Sequence, residues 1–226
     1  MKIALIGLGS VGRGVAEMVA KKDLGLSITA IADSKSGCMD PAGLNIPAVL
    51  EKKKKIGLCG DPAVSVMDII KTADYDVLVE VSPTNALTGE PSIGYIKAAL
   101  GRRKHVVTSN KGPVSLASKE LRTMAKKKGV ALRYEATVAG AIPVMHVLEH
   151  GLAGNEILGL YGVLNGTCNY ILTRMADEGL TYDQALLEAR EMGYAEADPT
   201  YDVQGIDAAI KLVILANTIW DNGMKL

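Results

Sequence analysis

The sequence predicts an α/β protein: a Rossmann-type, doubly wound parallel sheet followed by a smaller α+β domain. Three observations carry this expectation. A glycine-rich turn, GLGSVG at Gly7–Gly12, sits between an apolar run and a helical pattern at the N-terminus. Short apolar runs then alternate with helical periodicities as far as residue 135, the arrangement of parallel strands joined by crossover helices. Beyond that point the pattern changes to a glycine-rich, nearly uncharged stretch and a series of helices. The expected domains are therefore 1–135 and 136–226.

The first unit is the most specific. Lys2–Ile6 reads as a buried strand, and Val11, Val15, Met18 and Val19 recur at helical spacing after the glycines. Ser27–Ala32 is the next strand and ends at Asp33, about twenty residues after Gly12. Each part of this order has a physical job in holding a dinucleotide. Gly7 permits the tight turn, Gly9 lets the backbone approach a pyrophosphate, and Gly12 lets helix and strand pack closely. The helix N-terminus, with the N–H groups of Ser10, Val11 and Gly12, presents donors and a positive dipole end to phosphates. Asp33 can accept from a ribose hydroxyl and repels the extra phosphate of NADP, although Ser34 and Lys35 could contact that phosphate. The pattern leans only slightly toward NAD.

The remaining elements follow in order. Residues 34–60 are punctuated by Gly and Pro around one helix near Val49–Lys55, and Val64–Lys71 reads as a helix. Asp76–Val81 (DVLVEV) and His105–Thr108 (HVVT) read as strands, separated by a helix over Ile93–Leu100. A helix from about Ser115 to Lys127 leads into a strand at Val130–Tyr134. Right-handed crossovers place the loops after all these strands on one sheet edge, where ligands bind. Ser82, Asn85, Ser109, Asn110 and Lys111 thus join the glycine turn as candidate cofactor contacts. In the second domain a helix is expected over Ile142–His150, a strand over Leu158–Leu164, and helices from Asn165 to Glu178 and from Tyr182 to Met192.

Composition excludes several functions. Lys+Arg and Asp+Glu balance at 25 each, so nothing demands a nucleic acid or an anionic membrane surface. The basic run Lys52–Lys55 reads as a helix C-terminal cap before Gly57. Cys38, Cys59 and Cys168 form no C-x-x-C pair, which suits a reducing, cytoplasmic setting. MKIALIGLGS is too weakly apolar for a signal peptide, and no apolar run reaches membrane-spanning length. His146, Glu149 and His150 spell H-x-x-E-H, an inverted zinc-peptidase pattern. It follows a complete nucleotide-binding pattern, so helix packing near a domain junction is the preferred reading.

A second cluster lies in GYAEADPTYDVQGIDAAIK, Gly193–Lys211, which gathers Glu196, Asp198, Asp202 and Asp207 before a lysine in an apolar helix. Ile206, Ile210, Val213 and Ile214 set the helical phase, so Asp207 and Lys211 are neighbours on one face. Such a group could hold an amino acid by its ammonium and carboxylate, with a lysine at the reactive end. A solvated acidic loop with one incidental ion pair is the alternative.

Taken in order, GLGSVG, VVTSNKGP at Val106–Pro113, YEATVAGAIPV at Tyr134–Val144, GVLNGTCNYIL at Gly162–Leu172 and the Gly193–Lys211 stretch resemble homoserine dehydrogenase. The resemblance runs from Met1 to about Lys225. It implies NAD(P)-dependent interconversion of L-homoserine and L-aspartate 4-semialdehyde, in threonine, methionine and isoleucine biosynthesis. It implies that Glu196 and Asp207 hold the amino acid, beside Asp202, and that Lys211 is the proton donor and acceptor. It further implies that Lys111 lies between nicotinamide and substrate and that Gly193 touches the cofactor. Backbone carbonyls of Glu135, Val138, Gly140 and Ile142 would bind a monovalent cation, commonly sodium. The second domain would bind homoserine and form a homodimer.

Family members usually continue past Leu226 with a segment that packs back onto the first domain, so the second domain is expected to be incomplete. Two other readings stay open: a different amino-acid dehydrogenase on the same scaffold, and a truncated nucleotide-binding module without turnover.

Overall fold

The computed structural model describes residues 1–196 and 198–226; Ala197, inside the Gly193–Lys211 stretch, lies outside the described residues. The chain divides into two compact units, Met1–His146 and Val147–Leu226.

The first unit is a six-stranded sheet in the order β3-β2-β1-β4-β5-β6. Its strands are β1 (Lys2–Ile6), β2 (Ser27–Ala32), β3 (Gly37–Met39), β4 (Val77–Glu80), β5 (His105–Thr108) and β6 (Leu132–Arg133). Its helices are α1 (Ser10–Lys21), α2 (Ile46–Ile56), α3 (Val66–Thr72), α4 (Ser92–Gly101), α5 (Lys111–Lys128) and the short α6 (Val144–His146). Neighbouring strands are parallel except β3, which runs antiparallel on β2. Strand alternation explains the double winding. Ile3 and Leu5 of β1 face one side, with Ile28, Ile31, Val77 and Val79, and pack on Ala16 of α1 and Ile46 of α2. Ala4 and Ile6 face the other, with Leu78 and Val106, against Ile69, Ile96, Leu100 and Leu121 of α3, α4 and α5. Each fully buried Leu or Ile in these layers contributes about 1.5–3 kcal/mol.

Elements in this unit form where local signals agree. Ser65 and Asp68 make a reciprocal capping box on α3, and Asn45 caps α2 with a proline in its first turn. Helix α2 ends on Gly57 in the left-handed region, at φ 74°. Its lysine run behaves as a cap, since Lys53 Nζ donates to the Gly57 carbonyl at 2.7 Å. Strand β3 was not expected. Helix α5 starts four residues earlier than periodicity indicated, because Asn110 caps it by accepting from Gly112 N at 3.2 Å. The expected change of domain at residue 135 precedes the observed division by eleven residues. The Glu135 carboxylate accepts from the backbone N–H groups of Met145 and His146, both at 2.9 Å, and so holds that segment to the first unit.

The second unit opens on a π-helical turn, Val147–Gly151, where one helix over Ile142–His150 was expected. It continues with α7 (Gly166–Glu178), α8 (Tyr182–Glu191), α9 (Thr200–Val203) and α10 (Ile206–Trp220). Helices α7 and α8 form a hairpin around Ile171, Ala185 and Ala189. Gly179 turns the chain at φ 69°, and a Thr181–Gln184 capping box restarts it. Arg174 grips Glu188 with two bonds of 2.9 Å across the pair. Gly205, at φ 75°, separates α9 from α10. The strand expected over Leu158–Leu164 is not formed. That segment has no ladder partner among the described residues, and Leu158 and Tyr161 are 87% and 99% exposed. An alternating apolar pattern makes a strand only when a neighbour supplies the hydrogen bonds.

Candidate active site

The first unit carries the glycine turn at the switch point of the sheet, where β1 and β4 lie side by side and the strand order reverses. Gly7 sits at φ 98°, and a Cβ there would stand 2.7 Å from the Val81 backbone that follows β4. A Cβ on Gly12 would fall 1.9 Å from the Gly7 carbonyl oxygen. Gly9 differs, because nothing lies within 4 Å of the space its side chain would fill. Helix α1 has no side-chain cap and no acidic residue in its first turn. The donors at the exposed Ser10 and Val11 thus face an open approach suited to a phosphate.

Asp33, at the end of β2, is held on three sides. Its Oδ1 accepts from Lys35 N at 2.8 Å and Ser36 N at 3.2 Å. Its Oδ2 lies 2.6 Å from Lys53 Nζ in a close ion pair. Burial pushes the carboxyl upward, but the Lys53 ammonium and the two N–H groups outweigh it and hold Asp33 below the usual carboxylate range. A cleft of about 250 Å³ adjoins it, lined by Asp33, Ser34, Lys35, Pro62, Val64 and Tyr95.

The other two loops share the same edge of the sheet. Asn85 Oδ1 accepts from Leu87 N and Thr88 N, both at 3.1 Å, so its side chain shapes its own turn. Ser109 N donates to the Glu80 carbonyl at 3.3 Å. Asn110 is 1% exposed, and its side chain is committed to α5 and to Ser92. Lys111 is the first residue of α5 and half-buried. A Cβ on Gly112 would come 2.5 Å from the Asn85 carbonyl oxygen, so the two loops are in close contact.

The second unit brings three of the predicted residues together and adds a fourth. Lys211 Nζ lies 2.6 Å from Asp207 Oδ2 and donates to the Leu164 carbonyl at 2.7 Å. Asn165 Nδ2 donates to Asp202 Oδ1 at 2.7 Å and to Asp207 Oδ2 at 3.1 Å. The carbonyl end of Asn165 caps α7 by accepting from Cys168 N at 2.8 Å. The Cys168 thiol is pushed up by burial and then by the charges of Asp202 and Asp207. Lys211 and Asp207 are 18% and 9% exposed at their side chains, a semi-enclosed setting in which charges act more strongly than in water. Glu196 is exposed, and Gly193, at φ 77°, turns the chain after α8. Asn165 stood inside the sequence motif yet was not singled out; its position as a helix cap next to a glycine was the available signal. The arrangement offers a cation beside two oriented carboxylates, which suits binding an amino acid and moving a proton.

Among the described residues, no three His, Cys, Asp or Glu side chains gather as a metal site. The loop Glu135–Ile142 turns sharply at Ala139 and Gly140, with φ of 60° and 59°. There the Glu135 and Ile142 carbonyls accept from Val138 N and Val144 N.

Comparison with known proteins matches two family models to the chain. One is described as the homoserine dehydrogenase NAD binding domain, over residues 7–135, and the other as homoserine dehydrogenase, over residues 143–226. A homoserine dehydrogenase of Methanocaldococcus jannaschii is 46% identical, with 97% of this chain and 69% of the relative aligned. An NAD(+)-dependent homoserine dehydrogenase of Pseudomonas canavaninivorans is 38% identical, with 97% of this chain and 66% of the relative covered. A hyperthermophilic archaeal homoserine dehydrogenase solved in complex with NADPH superposes with a TM-score of 0.83 at 31% identity. That alignment covers 98% of this chain and 70% of the solved one. The chain thus spans about two thirds of the length of these relatives.

Proposed function

The chain belongs to the homoserine dehydrogenase family, and from that membership we propose that it interconverts L-homoserine and L-aspartate 4-semialdehyde with NAD or NADP. The observation that carries the reading is the Lys211–Asp207–Asn165–Asp202 cluster, on a chain that also holds a complete glycine-turn nucleotide unit. The two cofactor forms stand together because one relative is named for NAD and one neighbour holds NADPH.

When bound, the nicotinamide supplies the hydride in the reducing direction and accepts it in the oxidising one. Lys211 handles the proton. Its ammonium stabilises the carbonyl oxygen as that oxygen gains charge, then gives it a proton; in reverse, the amine takes the hydroxyl proton. Asp207 keeps Nζ on one side of the cluster, with the Leu164 carbonyl as the second anchor. Asp202 and Asp207, oriented by Asn165, accept the substrate ammonium together with Glu196. Lys111 contacts cofactor or substrate from the start of α5, and Gly193 contacts the cofactor. Asp33 and the Gly7–Gly12 turn hold the adenosine ribose and the pyrophosphate. The Glu135, Val138, Gly140 and Ile142 carbonyls hold a monovalent cation, a role suited to a sharp, weakly charged turn.

The second unit also pairs with another copy of the chain through the exposed apolar segment around Leu158, Tyr161 and Val163, and the protein works in the cytoplasm. No helix among the described residues is long and apolar enough to cross a membrane. The test is direct: the protein is incubated with L-homoserine and NAD+ or NADP+ while nicotinamide reduction is followed. Homoserine-dependent reduction is expected. Cofactor binding without reduction would reduce the chain to a nucleotide-binding module, and turnover only of other amino acids would reassign its substrate.

A further inference from the structure

A buried carboxylate that the proposed reaction does not use stands directly beneath the two cofactor-edge loops. Glu80 ends β4 and is 0% exposed, inside an otherwise apolar strand. Its Oε1 accepts from Ser82 N at 3.0 Å and from the Ser82 hydroxyl, and its Oε2 accepts from Thr108 Oγ1 at 2.9 Å. The bonds continue outward. Thr108 Oγ1 accepts from Asn110 N at 2.9 Å. Ser82 Oγ and Ser92 Oγ are 3.0 Å apart, and Asn110 Nδ2 donates to Ser92 Oγ at 2.9 Å. Four side chains, with the side chain and backbone N–H of Asn110, close a ring that joins the ends of β4 and β5, the start of α4 and the cap of α5.

The ring has a direction. A carboxylate only accepts, so the Ser82 and Thr108 protons must point at Glu80. With the Ser82 proton committed, Ser92 has to donate to Ser82, and Ser92 is then left to accept from Asn110. Two chains of donors therefore begin on Asn110 and end on the same carboxylate. The Asn110 amide faces the way this chain needs, since Nδ2 also donates to the Ser82 and Pro83 carbonyls at 3.3 and 3.4 Å. With Nδ2 drawn to Ser92, Oδ1 is turned to Gly112 N and caps α5, whose first residue is Lys111. Burying a carboxylate is costly unless it is fully hydrogen-bonded, and a valine would pack in this strand without that cost. A satisfied buried network instead selects one arrangement of the groups that compose it.

We propose that Glu80 is a positioning residue for cofactor binding. By setting the polarity of the ring, it locks the Ser82–Asn85 and Ser109–Lys111 loops into the single arrangement that receives the nicotinamide end of the cofactor. The proposal rests on the reading that these loops border the cofactor. In Glu80→Gln the shape is kept, but the new amide group meets a donor at Ser82 or Thr108. One of the links that tie the ends of β4 and β5 through this side chain is then lost.

The experiment measures the dissociation constants of NADH and NADPH by calorimetry, with thermal unfolding in parallel, for the unaltered chain, Glu80→Gln, Thr108→Val and Thr108→Ser. Glu80→Gln and Thr108→Val are each expected to weaken binding at least tenfold. Thr108→Ser, which keeps the hydroxyl, is expected to restore it to within about threefold. A purely structural role would lower the unfolding temperature and leave the affinity of the folded protein unmoved. That result, or equal weakening by Thr108→Ser and Thr108→Val, overturns the proposal. If Glu80→Gln does not fold, the Thr108 pair decides by the same criteria. An unaltered chain that binds neither cofactor overturns the underlying reading, and the ring's role with it. An unaltered chain that binds cofactor without oxidising homoserine counts against the activity alone, because the ring is judged on binding.

Discussion

Lys211 Nζ stands 2.6 Å from Asp207 Oδ2, one turn away on α10. A pair at this spacing on an exposed helix contributes only a few tenths of a kcal/mol. Here the Leu164 carbonyl and Asn165 also hold the two charges, so the pair belongs to a built site. Four predictions follow from this site and from the nucleotide unit.

Lys211→Ala removes the proposed proton donor and leaves the glycine turn in the other unit untouched. Turnover of L-homoserine is expected to fall by about 10³-fold, within the range for loss of a general acid–base group. NADPH affinity is expected to stay within about twofold. Steady-state kinetics and calorimetry on the same preparation check both, and near-normal turnover would end the role assigned to Lys211.

Asn165 does two jobs with the two ends of its amide. Asn165→Asp keeps an oxygen to cap α7 but places a third carboxylate beside Asp202 and Asp207. Its kcat/KM for homoserine is expected to drop about 10–100-fold while the fold holds. Asn165→Ala also loses the cap and is expected to cost roughly 1 kcal/mol more in stability. Chemical denaturation alongside kinetics separates the two effects.

Gly12→Ala and Gly9→Ala look alike on paper and differ in the structure. A Cβ at Gly12 collides with the Gly7 carbonyl oxygen at 1.9 Å, so the turn cannot close and the protein is expected to be severely destabilised. A Cβ at Gly9 meets nothing within 4 Å. That variant is expected to melt near the wild-type temperature yet bind cofactor about tenfold or more weakly, because the methyl group occupies the phosphate approach. Unchanged cofactor affinity in Gly9→Ala would move the phosphate site elsewhere.

The Asp33–Lys53 pair makes a pH-dependent contribution whose sign is set. The folded-state pKa of Asp33 is lowered, so its stabilisation is present above the unfolded value near pH 4 and is lost as pH falls through the lower folded value. Lys53→Ala leaves only the Lys35 and Ser36 N–H groups to oppose burial at Asp33 and is expected to cost roughly 1–2 kcal/mol at pH 7. The difference from wild type should shrink as pH drops below about 4. Unfolding curves from pH 3 to pH 7 check this, and a constant difference across that range would contradict it.

Much of the molecule was legible in the sequence because the physics there is local. Five of the six strands and most helices declared themselves through periodicity, glycines and caps, and the glycine turn stood in the order that a dinucleotide unit requires. Strand β3 did not, since three residues carry no periodicity. It exists because Gly37–Met39 pairs with Ala30–Ala32, and because Gly60 comes so close to Gly37 that a Cβ there would lie 2.0 Å from the Gly37 carbonyl oxygen. Leu158–Leu164 failed in the opposite sense: its residues suit a strand, and the described residues give it no partner.

By itself the sequence determined the α/β class, the position of the nucleotide turn and the pairing of Asp207 with Lys211, because each depends on residues within a few turns of one another. Tertiary structure alone decided the rest. It placed Asn165 between Asp202 and Asp207 from about forty residues away, brought Lys53 to Asp33, and closed the ring of Glu80, Ser82, Ser92, Asn110 and Thr108. Those partners are chosen by where strands and helices pack, and no local pattern encodes the distance between them.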